Sequence, residues 1–349
     1  MLLERADLDA VTAIERLAGL QAQLPRSPYI ALWSRLRGFQ ASDLEQALVE
    51  RRVVKANLMR ITLHLVSASE FHLYRRAVDT LTGTSWSAPL EAAGDSLDLI
   101  RADLLERAGK GPLSRAEALR LIASRAPRML ELERFRLWNL LKTRHFVADP
   151  SRAFFHHPPS GDHVLAPEMA GAGEAEAAAH LVRAHLGAFG PASRADTSDW
   201  SGQTIARLLP GYQVLKPELV EFLGPDGDIL YDLRDAPRPS AETPAPVRYL
   251  AKWDSLLLGH KRRARVISDR DRKVVIRKNG DVMESFTVDG FVAGMWAATL
   301  SGGVATLTLT PLRKLARAHL EDLVEEGERL LAFLAPGARG EVVSRNSPE

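Results

Sequence analysis

Apolar positions near the start of the chain recur at helical spacing and then meet a proline. They are Val11, Ile14, Leu17, Ala18 and Leu20. Pro25 interrupts this pattern, and Ser27 followed by Pro28 is typical of an N-cap and a first helical residue. The pattern therefore predicts two helices between residues 7 and 39, joined by a short connection.

Gln21 and Gln23 lie in that connection. If the connection is extended, side chains two residues apart project to the same side, so two uncharged amides face one small volume. The alternative interpretation is that both are ordinary surface residues that lie close together by chance.

A third helix is predicted from residue 43 to residue 50, with Ser42 as its cap. Residues 59–66 then alternate like a strand, and period two places Arg60, Thr62 and His64 together on one face. Two interpretations of that face stay open: it borders the glutamines or the DNA backbone, or it packs on its own domain. Helices followed by a β-ribbon are the order of a winged helix.

A short signal recurs later in the chain, because residues 111–117 are echoed by residues 190–196. In both segments a serine is followed three residues later by an acid, which is a helix-capping pattern. The repetition predicts duplicated helix-turn-helix units, although two unrelated capping boxes would give the same pattern. Strands are predicted after each unit, at residues 146–148 and 229–231.

The last hundred residues change from helical to strand-like patterns. Three alternating segments, with Asp289-Gly290 and Gly302-Gly303 as turns, predict an antiparallel meander before an amphipathic helix at residues 312–334. The predicted fold class is α+β, with tandem winged helix-turn-helix units, a C-terminal β-meander and a terminal helix. The predicted divisions are residues 1–85, 86–175 and 176–240 for three winged-helix units, and 241–349 for the β-rich region.

Composition excludes several classes of site. The chain has no cysteine, which excludes disulfides, iron–sulfur clusters and cysteine-built zinc sites. No apolar run reaches the roughly 18 residues of a membrane span, and no signal peptide is recognisable, so we expect a cytoplasmic protein without a membrane partner. His156, His157 and His163 fit no common metal-ligand spacing, and no phosphate-binding loop or Gly-x-Ser-x-Gly motif is present. We therefore expect no metal and no nucleotide cofactor.

Positive charge is concentrated in one segment. Between residues 260 and 278, nine Lys and Arg side chains oppose two Asp, giving +7 against +2 for the whole chain. Such a segment can neutralise several phosphates, but a solvated loop between strands is an equal alternative. The predicted DNA-binding residues here are Lys261, Arg262, Arg263 and Arg265.

Four ordered motifs resemble one known family. Residues 19–23 read GLQAQ, residues 60–66 RITLHLV, residues 253–260 WDSLLLGH, and residues 288–296 VDGFVAGMW. Together they resemble the AlkZ/YcaQ-like family of winged-helix DNA glycosylases over nearly the whole chain. The resemblance implies tandem winged helices curved around duplex DNA, and hydrolysis of the N-glycosidic bond of N7-alkylated purines, including bulky adducts and crosslinks. Related chains usually carry an additional N-terminal helix, so either the start is truncated here or that helix is dispensable.

The family's active-site motif is Gln-x-Gln in one branch and Gln-x-Asp in another, and Gln21 and Gln23 match the first. A neutral amide is a poor general base, since it accepts and donates hydrogen bonds without taking up a proton. An N7-alkylguanine is already cationic, so positioning of a water can suffice. We expect these two glutamines to hold that water. No lysine stands beside the motif in sequence, so we expect a monofunctional enzyme.

The expected partner is double-stranded DNA containing alkylated purines, bound by a monomer near the nucleoid of a prokaryote. The alternative function is a non-catalytic winged-helix protein that binds DNA as a regulator or architectural factor. A metal-dependent nuclease has no clustered carboxylates to support it. Self-resistance and general repair both fit the sequence.

Overall fold

The computed structural model describes residues 1–78, 87–150, 155, 162–167 and 171–345. The described chain is a mixed α+β protein, as the sequence predicted. Three successive segments, each with helices followed by an antiparallel pair of strands, precede a five-stranded sheet that completes the fold.

The first segment carries the glutamine motif. Its elements are α1 (Ala10–Arg16), β1 (Leu20–Gln21), α2 (Ser27–Trp33), α3 (Ala41–Val49), β2 (Val53–Asn57), β3 (Leu63–Ser67) and α4 (Phe71–Val78). The strands form an antiparallel sheet in the order β1-β3-β2. Gly19 turns the chain from α1 into β1 at a φ of 82°, and a Cβ there would lie 3.0 Å from Val66 Cγ1. Glycine is therefore required both by the backbone angle and by the close approach of β3.

The second and third segments also place a two-stranded hairpin after their helices. The second contains α5 (Ser87–Ala93), α6 (Leu97–Gly109), α7 (Arg115–Arg125), α8 (Glu131–His145), β4 (Phe146–Ala148) and β5 (His163–Leu165). The third contains α9 (Glu174–Phe189), α10 (Arg194–Ser201), α11 (Ile205–Leu215), β6 (Leu219–Leu223) and β7 (Ile229–Leu233). In each, an isolated β-bridge pairs the residues just before one helix with the hairpin: Leu113, before α7, pairs with His163 of β5, and Ala192, before α10, pairs with Tyr231 of β7.

The two predicted capping boxes are confirmed. Ser114 accepts the backbone N–H of Glu117, whose carboxylate accepts the backbone N–H of Ser114 in return. Ser193 and Asp196 repeat the arrangement at the start of α10. Each box satisfies helix donors that would otherwise lack partners, which explains why the same short signal recurs before both helices.

The C-terminal region forms the largest sheet. Its elements are β8 (Arg248–Leu250), α12 (Ser255–Leu258), α13 (Asp269–Val275), β9 (Ser285–Val288), β10 (Phe291–Ser301), β11 (Val304–Pro311), α14 (Arg317–Leu334) and β12 (Arg339–Ser344). The strand order is β12-β11-β10-β9-β8, with β12 parallel to β11. The predicted meander is confirmed as β9 to β11. The sequence did not predict β8 or β12, because both are short strands that lack a clear alternation of their own.

The first segment and the C-terminal region share one hydrophobic core. Buried side chains of α1 to α3 pack in the same cluster as those of the large sheet and of α14, including Tyr249, Phe286, Trp296, Leu323 and Leu330. The third segment packs its own helices together with buried residues that flank the motif and with α4. The glutamine motif therefore lies where these two cores meet.

Three local predictions were wrong. The strand predicted from residue 59 begins only at Leu63, because Met59–Ile61 form a 3₁₀ turn. α3 begins at Ala41 rather than after Ser42, and the carboxylate of Asp43 accepts the backbone N–H of Gln40. α2 begins one residue early, so Ser27 lies inside the helix and makes no capping bond.

Candidate functional site

Gln21 ends strand β1 and lies directly opposite His64 of β3. Side chains that face each other across an antiparallel pair are neighbours, with Cβ atoms about 4.5–5.5 Å apart. The Gln21 side chain is partly buried, and its Oε1 accepts a hydrogen bond of 3.0 Å from the Arg60 guanidinium. Because arginine has no acceptor, this contact fixes which end of the amide faces Arg60 and turns Nε2 away from it.

Gln23 follows two residues later and is exposed. Its Oε1 accepts the backbone N–H of Leu63 at 3.0 Å, while Ala22 between the glutamines donates its own N–H to the Leu63 carbonyl. Both amides therefore bind the short segment formed by residues 60–63. That the two amides face one small volume stays a prediction, which their contacts with the same short segment support.

The partner segment has an unusual backbone. Arg60 and Ile61 have φ values of 53° and 59°, a region that side chains other than glycine rarely occupy. Such conformations cost about 1–3 kcal/mol each and persist only where surrounding contacts impose them. Here the Asn57 side chain donates to the Ile61 carbonyl at 3.1 Å, and the Leu58 N–H donates to the Thr62 carbonyl at 3.0 Å. Period-two alternation gave no signal for this turn.

The charged and titratable groups at the site hold fixed protonation states near neutral pH. Burial lowers the pKa of Arg60 to about 10, so the guanidinium stays charged. Burial, followed by the charge of Arg60, lowers the pKa of His64 to about 3. The His64 Nδ1 contacts the Thr62 carbonyl at 2.9 Å and must carry the proton there, because a carbonyl only accepts. Nε2 of His64 is then an unprotonated acceptor.

The prediction that the Arg60, Thr62 and His64 side chains lie together on one face of a strand is confirmed in part. Thr62 Oγ1 lies 3.5 Å from His64 Nδ1, and Arg60 reaches Gln21 from the turn rather than from a strand. His64 is only 3% exposed, so most of its surface packs inside the protein. Contact of these three residues with DNA stays a prediction.

The basic segment lies against the third segment of the chain. Arg262 pairs with Asp226, the Arg263 guanidinium lies 3.8 Å from Asp199, and Arg265 donates to the Pro191 carbonyl at 2.9 Å. In the part of the chain that the structure describes, other cations of this segment make no side-chain contact with an acid; these are Lys261, Arg270, Lys273, Arg277 and Lys278. They leave more charge available for a polyanion than the paired arginines do.

Metal ligands do not cluster among the described residues, and no helix there is long and apolar enough to cross a membrane. His163 contacts the Trp138 ring edge-on at 5.4 Å. His156 and His157 lie outside the described residues. Asp254 and His260 of the 253–260 motif stabilise local structure: Asp254 caps α12, and His260 contacts the Phe189 carbonyl at 2.9 Å.

Three buried histidines and one partly buried histidine predict loss of stability in acid. Burial lowers the pKa of His64 to about 3 and those of His180, His185 and His260 to about 4. Unfolded histidines bind protons below about pH 6.5, so unfolding takes up protons between about pH 4 and 6.5. The free energy of unfolding should therefore fall as the pH falls through this window.

One group acts in the opposite direction. Burial, followed by the charge of Glu15, raises the pKa of Glu70 to about 7, which favours the folded state in acid. With four histidines against one glutamate, urea denaturation at about pH 7 and pH 5 should show a clear net loss at the lower pH. An unchanged or higher free energy of unfolding at pH 5 would contradict the buried, neutral state of these histidines.

Comparison with known proteins now identifies the family. The family model described as DNA glycosylase AlkZ-like matches residues 14–333. No curated protein matches the chain. Among solved structures, Streptomyces sahachiroi DNA glycosylase AlkZ is similar with a TM-score of 0.80 and 21% identity, covering 99% of this chain and 95% of that one. At this identity the structural likeness shows the fold, whereas the family match spans most of the sequence. The chain therefore belongs to the AlkZ-like DNA glycosylase family.

Proposed function

We propose that this protein is a monofunctional glycosylase that hydrolyses the N-glycosidic bond of N7-alkylated purines, with bulky adducts and interstrand crosslinks among its substrates. The observation that carries the proposal is the convergence of the Gln21 and Gln23 amides on residues 60–63, beside the neutral His64. Each amide oxygen uses one lone pair inside the protein, which leaves a second lone pair and the Nε2 donors for a bound water.

The neutral amides of Gln21 and Gln23, which are poor general bases, fit a cationic leaving group. Alkylation at N7 places a positive charge on the purine, so departure of the base needs no acid. The remaining requirement is a water held beneath the anomeric carbon as positive charge develops on the sugar. Orientation of that water lowers the barrier without proton removal in the ground state. Neutral guanine leaves far less readily, so a weak catalytic pair spares undamaged DNA.

The sheet geometry supports attack on the anomeric carbon by water rather than by a lysine side chain. Lys55 is the one lysine in strands β1 to β3, all of which are described. It pairs in register with Leu65, whereas Gln21 and Ala56 both pair with His64. Since successive side chains alternate across a sheet, Lys55 faces away from Gln21. A Schiff-base intermediate on this lysine is therefore disfavoured, which supports a glycosylase without strand scission.

The DNA-binding part of the proposal rests on the repeated segments. The first and third run helix, short strand or bridge, helix, helix and hairpin, and the second has the same order after an additional short helix, α5; this is the element order of a winged helix. We assign three winged-helix units to residues 1–85, 86–175 and 176–240, and the β-rich region to 241–349. Thr62 and His64, together with Lys261, Arg262, Arg263 and Arg265, would border the duplex. Arg60, which the sequence predicted as a further DNA contact, instead donates to Gln21 and to the Trp200 carbonyl. We place the protein as a monomer at the nucleoid, acting in general repair or in self-resistance.

A duplex with a single N7-methylguanine tests the activity. The wild-type protein should give strand cleavage only after hot alkali, because removal of the base leaves an alkali-labile abasic site. Cleavage without alkali would contradict the monofunctional assignment. If neither this duplex nor a crosslinked one reacts while both are bound, the protein is a non-catalytic DNA-binding member of the family.

A further inference from the structure

The guanidinium of Arg60 bridges two segments of the chain. One terminal nitrogen donates to Gln21 Oε1, and the other donates to the backbone carbonyl of Trp200 at the end of α10. The two acceptors lie 39 and 140 positions away in sequence. A planar guanidinium with fixed donor directions therefore links the first segment to the third.

The backbone of Arg60 also touches the third segment. Gly202, which ends α10 with a φ of 74°, is so close that a Cβ would lie 3.1 Å from both the N and the Cα of Arg60. The bare glycine lets the end of α10 pack directly on the turn at residues 59–61. The unusual φ of Arg60 is thus supported from outside its own segment.

The end of α10 is itself firmly held. The Trp200 side chain is buried, and its ring lies 5.0 Å from that of His185. Thr197, one turn earlier, contacts His185 Nδ1 at 2.9 Å and Tyr212 at 2.7 Å. A carbonyl on this helix is a fixed acceptor, so Arg60 has little freedom to turn away from Gln21.

We propose that Arg60 is a positioning residue that orients the Gln21 amide, and that the third segment holds Arg60 in place through the Trp200 carbonyl and Gly202. The inference rests on the proposed function, because it concerns the glutamine that would hold the attacking water. A glutamine side chain has several rotatable bonds, and a misplaced amide would place the water wrongly. Packing of the third segment against Arg60 therefore controls the rate of excision.

The competing role for Arg60 is a direct contact with a DNA phosphate. Such a contact would add to duplex affinity. It would also steepen the slope of log K against log salt concentration by about one unit, the contribution of one neutralised phosphate. A positioning role predicts a different outcome, since affinity and salt dependence stay unchanged and only the rate of excision falls. The two roles are separated by measuring rate and affinity on the same variants.

Arg60→Met removes the donors and keeps much of the side-chain length. We expect its single-turnover excision rate to fall by about tenfold to a hundredfold, with Kd for the duplex within about twofold of wild type. Arg60→Lys keeps the charge but lacks the two terminal nitrogens of the guanidinium, so its excision rate should also fall. The proposal would be overturned if Arg60→Met excised at the wild-type rate. It would also be overturned if the duplex affinity of Arg60→Met fell by the same factor as its excision rate.

Gly202→Ala tests the role of the third segment without changing Arg60 or Gln21. Its matched control is Gly337→Ala, because Gly337 also has a positive φ, 82°, but no atom lies within 4 Å of a Cβ there. Both variants add backbone strain, so both should lower thermal stability, whereas only Gly202→Ala should slow excision. Equal rates in the two variants would refute coupling through the third segment.

NMR of the glutamine side-chain amides tests this inference independently of the proposed function. The side-chain amide signals of Gln21, assigned by their loss in Gln21→Ala, should shift in Arg60→Met and Gly202→Ala and stay in place in Gly337→Ala. These shifts test the orientation of the amide even if the wild-type protein excises no tested lesion. Unshifted Gln21 signals in Arg60→Met would overturn the inference. The proposed glycosylase activity would be unaffected, because cleavage of the N7-methylguanine duplex tests it separately.

Discussion

Replacing Gln21 and Gln23 together by alanine is expected to lower the single-turnover rate of N7-methylguanine excision by about a hundredfold or more. The two amides bind residues 60–63 through one oxygen lone pair each and leave the rest of their hydrogen-bonding groups for a water. Without them that water has no fixed position relative to the sugar. The measurement is the rate of abasic-site formation with enzyme in excess over a single-lesion duplex.

Duplex affinity should change little in the double variant, because neither glutamine carries charge and phosphate contacts dominate affinity. Gln46→Ala is a suitable control, since Gln46 is exposed on α3 and its side chain contacts only Glu50 among the described residues. Excision at the wild-type rate by the Gln21→Ala/Gln23→Ala protein would remove the glutamines from the mechanism. If duplex affinity and excision rate fell by the same factor in this protein, Gln21 and Gln23 would be DNA-binding residues instead.

The largest expected effect on stability comes from Asp254→Ala. Asp254 and Arg35 form a two-bonded ion pair, at 2.6 Å and 2.9 Å, with side chains that are 0% and 2% exposed. Removal of one partner leaves the other charge buried without compensation, which destabilises proteins by about 3–5 kcal/mol. Asp254 also accepts the backbone N–H of Leu256, so the start of α12 loses its cap as well.

The free energy of unfolding from urea denaturation measures this loss. Glu321→Ala provides the contrast, because its ion pair with Arg317 is exposed and should contribute about 0–1 kcal/mol. Adding Arg35→Met to Asp254→Ala should recover part of the stability, since the unpaired charge is then gone. A loss in Asp254→Ala no larger than that in Glu321→Ala would show that the pair does not join the first segment to the C-terminal region.

Much of the local architecture could be predicted because its signals lie within a few residues of each other. The capping serines precede their acids by three positions, and Asp289-Gly290 and Gly302-Gly303 all have the positive φ values that tight hairpin turns require. The alternation of β10 and β11 is equally local. The glutamine motif could also be singled out, since two amides two positions apart need only one extended connection to come together.

The α+β class, the two capped helix entries and the meander followed from the order of residues along the chain. The contacts of Arg60 with Gln21, Trp200 and Gly202, and the parallel pairing of β12 with β11, became visible only in the folded chain. These contacts join residues far apart in the chain, and their partners show no shared periodicity. Hydrophobic patterns specify which face of an element is buried, whereas the element that covers that face is set by packing of the whole chain.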